Sequence, residues 1–238
     1  MAKFCKYCGK QLEDGEVCNC EKEQSMQVGN SGVIIAEVGK AIKGMILEPV
    51  STMKSFICGQ NFHNALVLII LNAIAVAIMV SSFTREISNL FMELLTGLGS
   101  LFLGSDALSA LDLELPYMKI MIMVILMIIL VNLLIAGSMY FICAKIYKKK
   151  VDYKVITTWL GTNAAFLIVV HLIVAIAILV NMEIALLLYV IGNTMSLCYL
   201  YKGITFTCDL DENKVAYIVI PVAIIALYIS KALILKLF

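Results

Sequence analysis

Charged side chains are scarce in this chain. Asp, Glu, Lys and Arg make up 15% of the 238 residues, whereas hydrophobic residues make up 62%. A soluble domain carries about 25% charged residues, so the composition excludes an ordinary soluble fold. The formal net charge of +1 also excludes a strong basic or acidic field over the whole chain. A cleavable signal peptide is not expected, because residues 1–32 lack the apolar stretch that such a segment needs.

The residue patterns of membrane enzymes are also missing from the sequence. It has no His-Glu-x-x-His motif, no pair of intramembrane aspartates and no glycine-rich phosphate loop. Four scattered cysteines lack ligand spacing and are interpreted as small apolar residues: Cys58, Cys143, Cys198 and Cys208. We therefore expect that the protein is not an enzyme. Two perturbed ionisable groups in one cleft would reverse that expectation.

The other four cysteines are crowded into a polar amino-terminal segment, residues 1–24. Two residues separate Cys5 from Cys8, and Cys18 and Cys20 follow after a short polar stretch. This spacing can direct four thiolates at one tetrahedral Zn²⁺, so the segment is predicted to form a small zinc ribbon. A shell of four cysteines leaves no open position for water, so the zinc would be structural. Disulfides or a metal-free knuckle are the alternatives, and disulfides would require an oxidising compartment.

The charge of this segment bears on its partner. Residues 1–24 contain four lysines and five acidic side chains, and a zinc tetrathiolate would add further negative charge. Phosphate binding needs a cluster of Lys or Arg, so nucleic acid is not an expected partner. The roles that remain are contact with a protein partner and regulated occupancy by the metal.

A linker and an amphipathic helix are predicted to follow. Residues 25–32 contain Ser, Asn and Gly without apolar periodicity, which is typical of a flexible linker. Residues 33–48 place apolar side chains such as Ile34 and Val38 on one side of a helix. This helix is too short and too charged to span a bilayer, so it lies either along the membrane surface or against the helical body. Pro49 ends it, because the residue before a proline disfavours the helical region.

The remaining chain, residues 55–238, contains apolar stretches that match the roughly 20 residues needed to cross a bilayer. One stretch, residues 155–201, is too long for a single span and is divided near Asn181. Residues 85–116 are expected to form an outer helix at the interface and a solvated acidic loop. The sequence thus predicts an all-α polytopic membrane protein with five transmembrane helices. The predicted spans are residues 64–83, 120–143, 158–180, 184–202 and 215–235.

Lysine and arginine are distributed unevenly between the two sides of these spans. Ten lie on the side of the amino terminus, among them Lys145 and residues 148–150, and four lie on the other side. Because cytoplasmic flanks are enriched in positive charge, we expect a multi-pass cell-membrane protein with its amino terminus in the cytoplasm and its carboxyl terminus outside. The cysteine-rich segment would then face a reducing compartment, which favours zinc over disulfides.

Polar side chains inside the spans are the default place to search for a transport path. The candidates are Asn72, Asn132, Asn163, His171 and Asn193. Asparagines spaced one per helix are expected to hydrogen-bond across neighbouring helices, at about 0.6 to 2 kcal/mol each. Alternatively, these groups converge on a water-filled path with the histidine as a relay, although a lone histidine lacks the carboxylate partner that such relays need.

The architecture resembles that of the Yip1 domain family. The resemblance rests on the Leu-Glu-Pro49 element, the five spans, the acidic outer loop, the basic inner loop and the tight third-to-fourth hairpin. Bacterial members often carry a zinc ribbon before this domain, as at Cys5 to Cys20. The tyrosine- and glycine-rich signatures of the eukaryotic trafficking members are not present here.

What the resemblance implies is an integral membrane scaffold or adaptor in a bacterial cytoplasmic membrane. The expected partners are membrane lipids and a protein bound through the zinc ribbon, and a second copy of the chain is a further candidate. The alternative function is a transporter or channel subunit with a polar path through the helix bundle.

Overall fold

The structure is a computed structural model, and it describes residues 3–4, 11–12, 31–58, 61–102, 117–149, 151–208, 210–211, 213–222 and 224. From residue 31 onward the described chain is almost entirely helical. Four of its helices are long and apolar enough to cross a membrane. The all-α class is therefore confirmed, and the four helices indicate a membrane-embedded protein.

Two short strands lie in the amino-terminal segment. Strand β1, Lys3–Phe4, pairs antiparallel with β2, Gln11–Leu12. Lys3 is opposite Leu12 and Phe4 is opposite Gln11, and residues 5–10 lie between the two strands in sequence. The four cysteines of the predicted zinc ribbon, and residues 25–30 of the linker predicted at 25–32, lie outside the described residues, whereas Ser31 and Gly32 belong to the helix that follows and not to a linker.

Two helices precede the first span. Helix α1 runs over Ser31–Leu47 and helix α2 over Pro49–Cys58. Pro49 starts the second helix, where its missing N–H would be unpaired in any case. The sequence analysis expected Pro49 only to end α1 and did not predict α2.

Helix α1 lies against the helical body, which was one of the two positions expected for it. Val38, Ala41 and Met45 are buried and recur every three or four residues, so they form one face of the helix. This face packs against the core of the long helices. The carboxylate of Glu37 accepts a hydrogen bond from the amide of Asn64, which lies in the long helix that begins at Phe62, so this bond also fixes the position of α1.

The long helices are α3, α4, α5 and α6. Their bounds are Phe62–Phe102, Tyr117–Phe141, Tyr153–Ile178 and Met182–Cys208, and α4 continues as a π-helical segment over Ile142–Ile146. Helix α3 differs from the prediction, because the span at residues 64–83 and the expected outer helix form one continuous element. At about 1.5 Å per residue, the 41 residues of α3 extend for about 60 Å, well beyond the hydrocarbon core.

A shorter helix follows α6. Helix α7 covers Asn213–Val222, and four of its side chains are buried against the core: Val215, Ile218, Val219 and Val222. Its ten residues are about half the number that crosses a bilayer. Residues 225–238 lie outside the described part of the chain, so the fifth span at residues 215–235 stays a prediction.

Helix α5 is the centre of the bundle. Of its apolar window 61% is buried, compared with 17% for α6 and 11% for α4. Contacts place α5 between α3 and α6. Its contacts with α6 pair early residues of one helix with late residues of the other, as Phe166 and Tyr199 do, so the two helices are antiparallel. The weakly buried helices present large apolar side chains outward, as expected for surfaces that face lipid.

Candidate functional site

A polar contact joins α3 and α5 inside the bundle. His171 lies on α5 and Asn72 lies on α3, and both side chains are at least 95% buried. The His171 Nδ1 atom is 3.0 Å from Asn72 Oδ1, which fits a hydrogen bond donated by the imidazole to the amide oxygen. That assignment places the proton of the neutral ring on Nδ1. The ring of Tyr189 on α6 lies nearby, with its centroid 6.3 Å from that of the histidine.

A second polar contact joins α5 and α6. The Asn163 amide donates to Ser196 Oγ at 2.9 Å, and the Ser196 hydroxyl reaches Asn163 Oδ1 at 3.2 Å. Both residues are buried. The serine hydroxyl accepts one hydrogen bond from the asparagine amide and donates one to the carbonyl oxygen of the same asparagine. Because each side chain is the partner of the other, neither residue needs water. Ser196 was not among the sequence candidates.

Among the described residues, the amides of the other two predicted asparagines bond within their own helices. The Asn132 amide donates to the Ile128 carbonyl oxygen at 2.9 Å, and the Asn193 amide donates to the Tyr189 carbonyl oxygen at 2.9 Å. Each is a bond to the preceding turn of the same helix. Both residues lie on helices that are only weakly buried, so few neighbouring side chains are available to them. The interhelical role expected for these two residues therefore stays a prediction.

Three threonines of α5 also have hydrogen-bonded side chains. Thr157 and Thr158 donate to the carbonyl oxygens of Tyr153 and Lys154, at 3.0 and 2.8 Å. Thr162 donates to the Thr158 carbonyl oxygen at 2.8 Å. The buried hydroxyls are thereby satisfied within the helix, as is common for Ser and Thr in membrane helices.

Close helix contacts accompany these hydrogen bonds. A Cβ atom added at Gly161 on α5 would lie 2.5 Å from Cα of Ala65 on α3. A Cβ atom at Gly203 on α6 would overlap the indole ring of Trp159, which is 1% exposed. The Trp159 Nε1 atom has no hydrogen-bond partner among the described atoms. Small residues thus let α3 and α6 approach α5 closely, which is the usual basis of helix association in membranes.

One cavity lies at the end of the bundle near the α5–α6 turn. Its volume is about 460 Å³, and α3, α5 and α6 line it with apolar side chains that include Met79, Phe83, Ile178 and Leu186. No acidic or basic side chain contributes to the lining. The cavity can therefore accommodate a hydrocarbon chain, and the phenol of Tyr189 is the single hydroxyl among its lining residues.

The predicted metal site cannot be compared with side-chain positions, because Cys5, Cys8, Cys18 and Cys20 lie outside the described residues. Within the described part of the chain, no three His, Cys, Asp or Glu side chains are grouped as metal ligands. The zinc assignment therefore rests on the spacing of the cysteines and on the strand pair that flanks residues 5–10 in sequence.

Comparisons with protein-family models, curated proteins and solved structures find no match to this chain. The resemblance to the Yip1 domain family therefore stays a prediction. The contacts that the sequence analysis missed are Asn163 with Ser196 and Asn64 with Glu37. Their partners are far apart in sequence, so residue spacing within one helix gives no indication of them.

Proposed function

We propose that this protein is an integral membrane scaffold or adaptor whose zinc ribbon binds a protein partner in the cytoplasm. The observation that carries the proposal is the pairing of β1 with β2, because the loop that it closes contains both Cys5 and Cys8. A short hairpin around a Cys-x-x-Cys pair is the arrangement that zinc ribbons use to direct two thiolates at one metal. Cys18 and Cys20 would complete a closed tetrahedral shell.

The character of the bundle supports a scaffold. The described buried polar groups of α5 are mostly bonded to neighbouring side chains or to backbone carbonyls, as His171 and Asn163 are. The cavity beside them is apolar. A bundle of this kind holds its helices in fixed register, as a scaffold requires.

The distribution of lysines supports a cytoplasmic amino terminus. The Lys54 Nζ atom on α2 lies 4.5 Å from the centroid of the Phe206 ring near the end of α6, so α2 and this end of α6 are on one side of the bundle. Lys145 lies at the end of the π-helical segment, and Cys143 in that segment contacts Cys208 at the end of α6. The basic residues therefore gather at one end, which is typical of the cytoplasmic face.

A transporter or channel subunit is the second candidate. The contact between His171 and Asn72 favours it, because buried polar side chains within membrane spans mark many substrate pathways. The apolar cavity next to this contact argues against a hydrated path. We therefore place transport below the scaffold function.

Zinc content and partner capture test the proposal together. The full-length protein is purified from membranes, its zinc is quantified, and photo-crosslinked partners are recovered from cells. The test variant carries Cys5→Ser and Cys8→Ser, and Cys198→Ser is the matched control because Cys198 is exposed on α6. We expect one zinc per chain in the wild type and in the control. In the double variant we expect loss of zinc and of crosslinked partners, with membrane insertion intact.

Two results would contradict the proposal. If the purified protein contains no zinc, the predicted zinc ribbon is refuted. If the double variant crosslinks to the same partners as the wild type, the partners bind to the helix bundle instead of the ribbon. In the second case, ion or solute flux in proteoliposomes, compared between wild type and His171→Ala, would test the transporter alternative.

A further inference from the structure

Two cysteines that were interpreted as small apolar residues face each other at one end of the bundle. The Sγ atoms of Cys143 and Cys208 are 2.7 Å apart, and the Cys208 thiol donates toward the Cys143 sulfur. The side chains are 0% and 3% exposed, and both cysteines are free thiols. We propose that Cys143 and Cys208 form a reversible dithiol–disulfide pair, which a peroxide oxidises and which then joins the ends of α4 and α6 covalently.

The sulfur positions require little movement for this reaction. A disulfide bond is about 2.05 Å long, so the two Sγ atoms need to approach by less than about 1 Å. Rotation about the side-chain bonds of two residues at helix ends supplies a change of this size. Because the two sulfurs are already in contact, the reaction requires a local adjustment at these helix ends.

The backbone around Cys143 is a second and independent observation. Cys143 lies in the π-helical segment Ile142–Ile146, in which the Tyr147 N–H donates to the Ile142 carbonyl oxygen at 3.1 Å. The Lys149 N–H then donates to the Cys143 carbonyl oxygen at 3.0 Å. Lys148 has a positive φ of 52°, which is uncommon for a residue with a side chain. Such irregular segments concentrate at functional sites, and this one carries the thiol.

The bond would add a link that the bundle otherwise lacks. Helix α4 packs mainly on α3 and α5, and α6 packs mainly on α5. A bridge between positions 65 apart in sequence would therefore close α4, α5 and α6 into one ring. In the cytoplasmic orientation proposed above, the pair faces a reducing compartment, where disulfides are transient and serve redox sensing.

The chemistry balances with one peroxide per pair. One thiol loses its proton, and the resulting thiolate attacks an oxygen of hydrogen peroxide, which is the oxidant. The O–O bond breaks to give a sulfenic acid and hydroxide, and the hydroxide takes up the released proton to form one water. The second thiol then attacks the sulfenic sulfur, which forms the S–S bond and releases a second water. The two sulfurs lose two electrons in total, and the two peroxide oxygens gain them. A small dithiol reverses the reaction by thiol–disulfide exchange.

The experiment maps the disulfide in the full-length protein. Protein in proteoliposomes is treated with hydrogen peroxide, remaining thiols are alkylated under denaturing conditions, and peptides are analysed by mass spectrometry with and without dithiothreitol. We expect a linked peptide pair containing Cys143 and Cys208 in most chains, and its loss after dithiothreitol. In the folded, reduced protein, a maleimide should label the exposed Cys198 well before it labels this pair.

Variants separate this pair from the other cysteines. Cys198→Ser should leave the linked peptides unchanged, whereas Cys143→Ala and Cys208→Ala should each abolish them. Recovery of both cysteines as alkylated thiols in oxidised wild-type protein would overturn the proposal, and so would linkage of either one to another cysteine. Because the mapping in wild-type protein is decisive, a variant that fails to insert does not affect the conclusion. Neither outcome depends on the zinc ribbon.

Discussion

Replacement of Gly161 by alanine is expected to destabilise the bundle by forcing α3 and α5 apart. The added Cβ atom would lie 2.5 Å from Cα and Cβ of Ala65 and 2.7 Å from its carbonyl oxygen. Carbon atoms in ordinary contact are about 3.5 to 4.0 Å apart, so the helices must separate by about 1 Å. Neither partner can swing away, because the contacts are to backbone and to a Cβ atom.

The size of the effect combines three contributions. Overpacking of this kind costs about 1 to 3 kcal/mol. The separation also lengthens the contact of His171 with Asn72 beyond hydrogen-bonding distance, at a further cost of about 0.6 kcal/mol or more. Alanine offsets up to about 1 kcal/mol because it favours the helix more than glycine does. We therefore expect a net loss of about 1 to 3 kcal/mol.

The matched control is Gly137→Ala on α4, where an added Cβ atom meets nothing within 4 Å. Equilibrium unfolding in mixed micelles, followed by tryptophan fluorescence from Trp159, measures both variants against the wild type. The control should be neutral or stabilised by up to about 1 kcal/mol. Equal stability of Gly161→Ala and Gly137→Ala would refute the reasoning, because it would show that α3 and α5 are not in backbone contact at this position.

Two further predictions concern side chains that the structure pairs. In a double-mutant cycle with His171→Ala and Asn72→Ala, we expect a coupling free energy of about 0.6 to 1.7 kcal/mol, measured by unfolding in micelles. A value near zero would show that these two side chains of α3 and α5 do not interact. Asn181→Ala should cost about 0.5 to 2 kcal/mol, because the Asn181 Oδ1 atom accepts hydrogen bonds from the Glu183 and Ile184 N–H groups at 2.8 and 3.1 Å and so caps α6. Hydrogen exchange should then increase in the first turn of α6, and unchanged protection there would contradict the assignment of the cap.

The existence of the four long helices could be predicted from the sequence, because each contains a long apolar run. Their ends were less predictable. The span at residues 64–83 was ended where the hydrocarbon core would end, but α3 continues to Phe102. No glycine or proline occurs between Phe62 and residue 96 to interrupt the backbone hydrogen bonds. Hydropathy locates the bilayer crossing, whereas the helix extends beyond it and continues through Gly97 and Gly99.

The role of each asparagine could not be predicted in the same way. Asn72, Asn132, Asn163 and Asn193 have the same chemistry and similar apolar surroundings in sequence. They differ in the packing of their helices, because Asn163 lies on the most buried helix and Asn132 on the least buried one. A buried amide meets a partner on another helix, while an amide on a lipid-facing helix satisfies itself at its own preceding turn. Which of these occurs depends on how the helices pack against one another, and the residue pattern of one helix does not contain that information.

The two ends of the bundle differ in a way that bears on the proposed adaptor. The end near the α5–α6 turn holds the apolar cavity, whereas the opposite end holds α1, α2 and the pair of Cys143 with Cys208. The predicted zinc ribbon precedes α1 in sequence, and α1 begins at Ser31. The contact of Lys54 with Phe206 connects α2 to α6 two residues before Cys208. The proposed disulfide would act on α6, which is one of the helices that contact α2, so the two proposals place partner binding and redox chemistry at the same end of the protein.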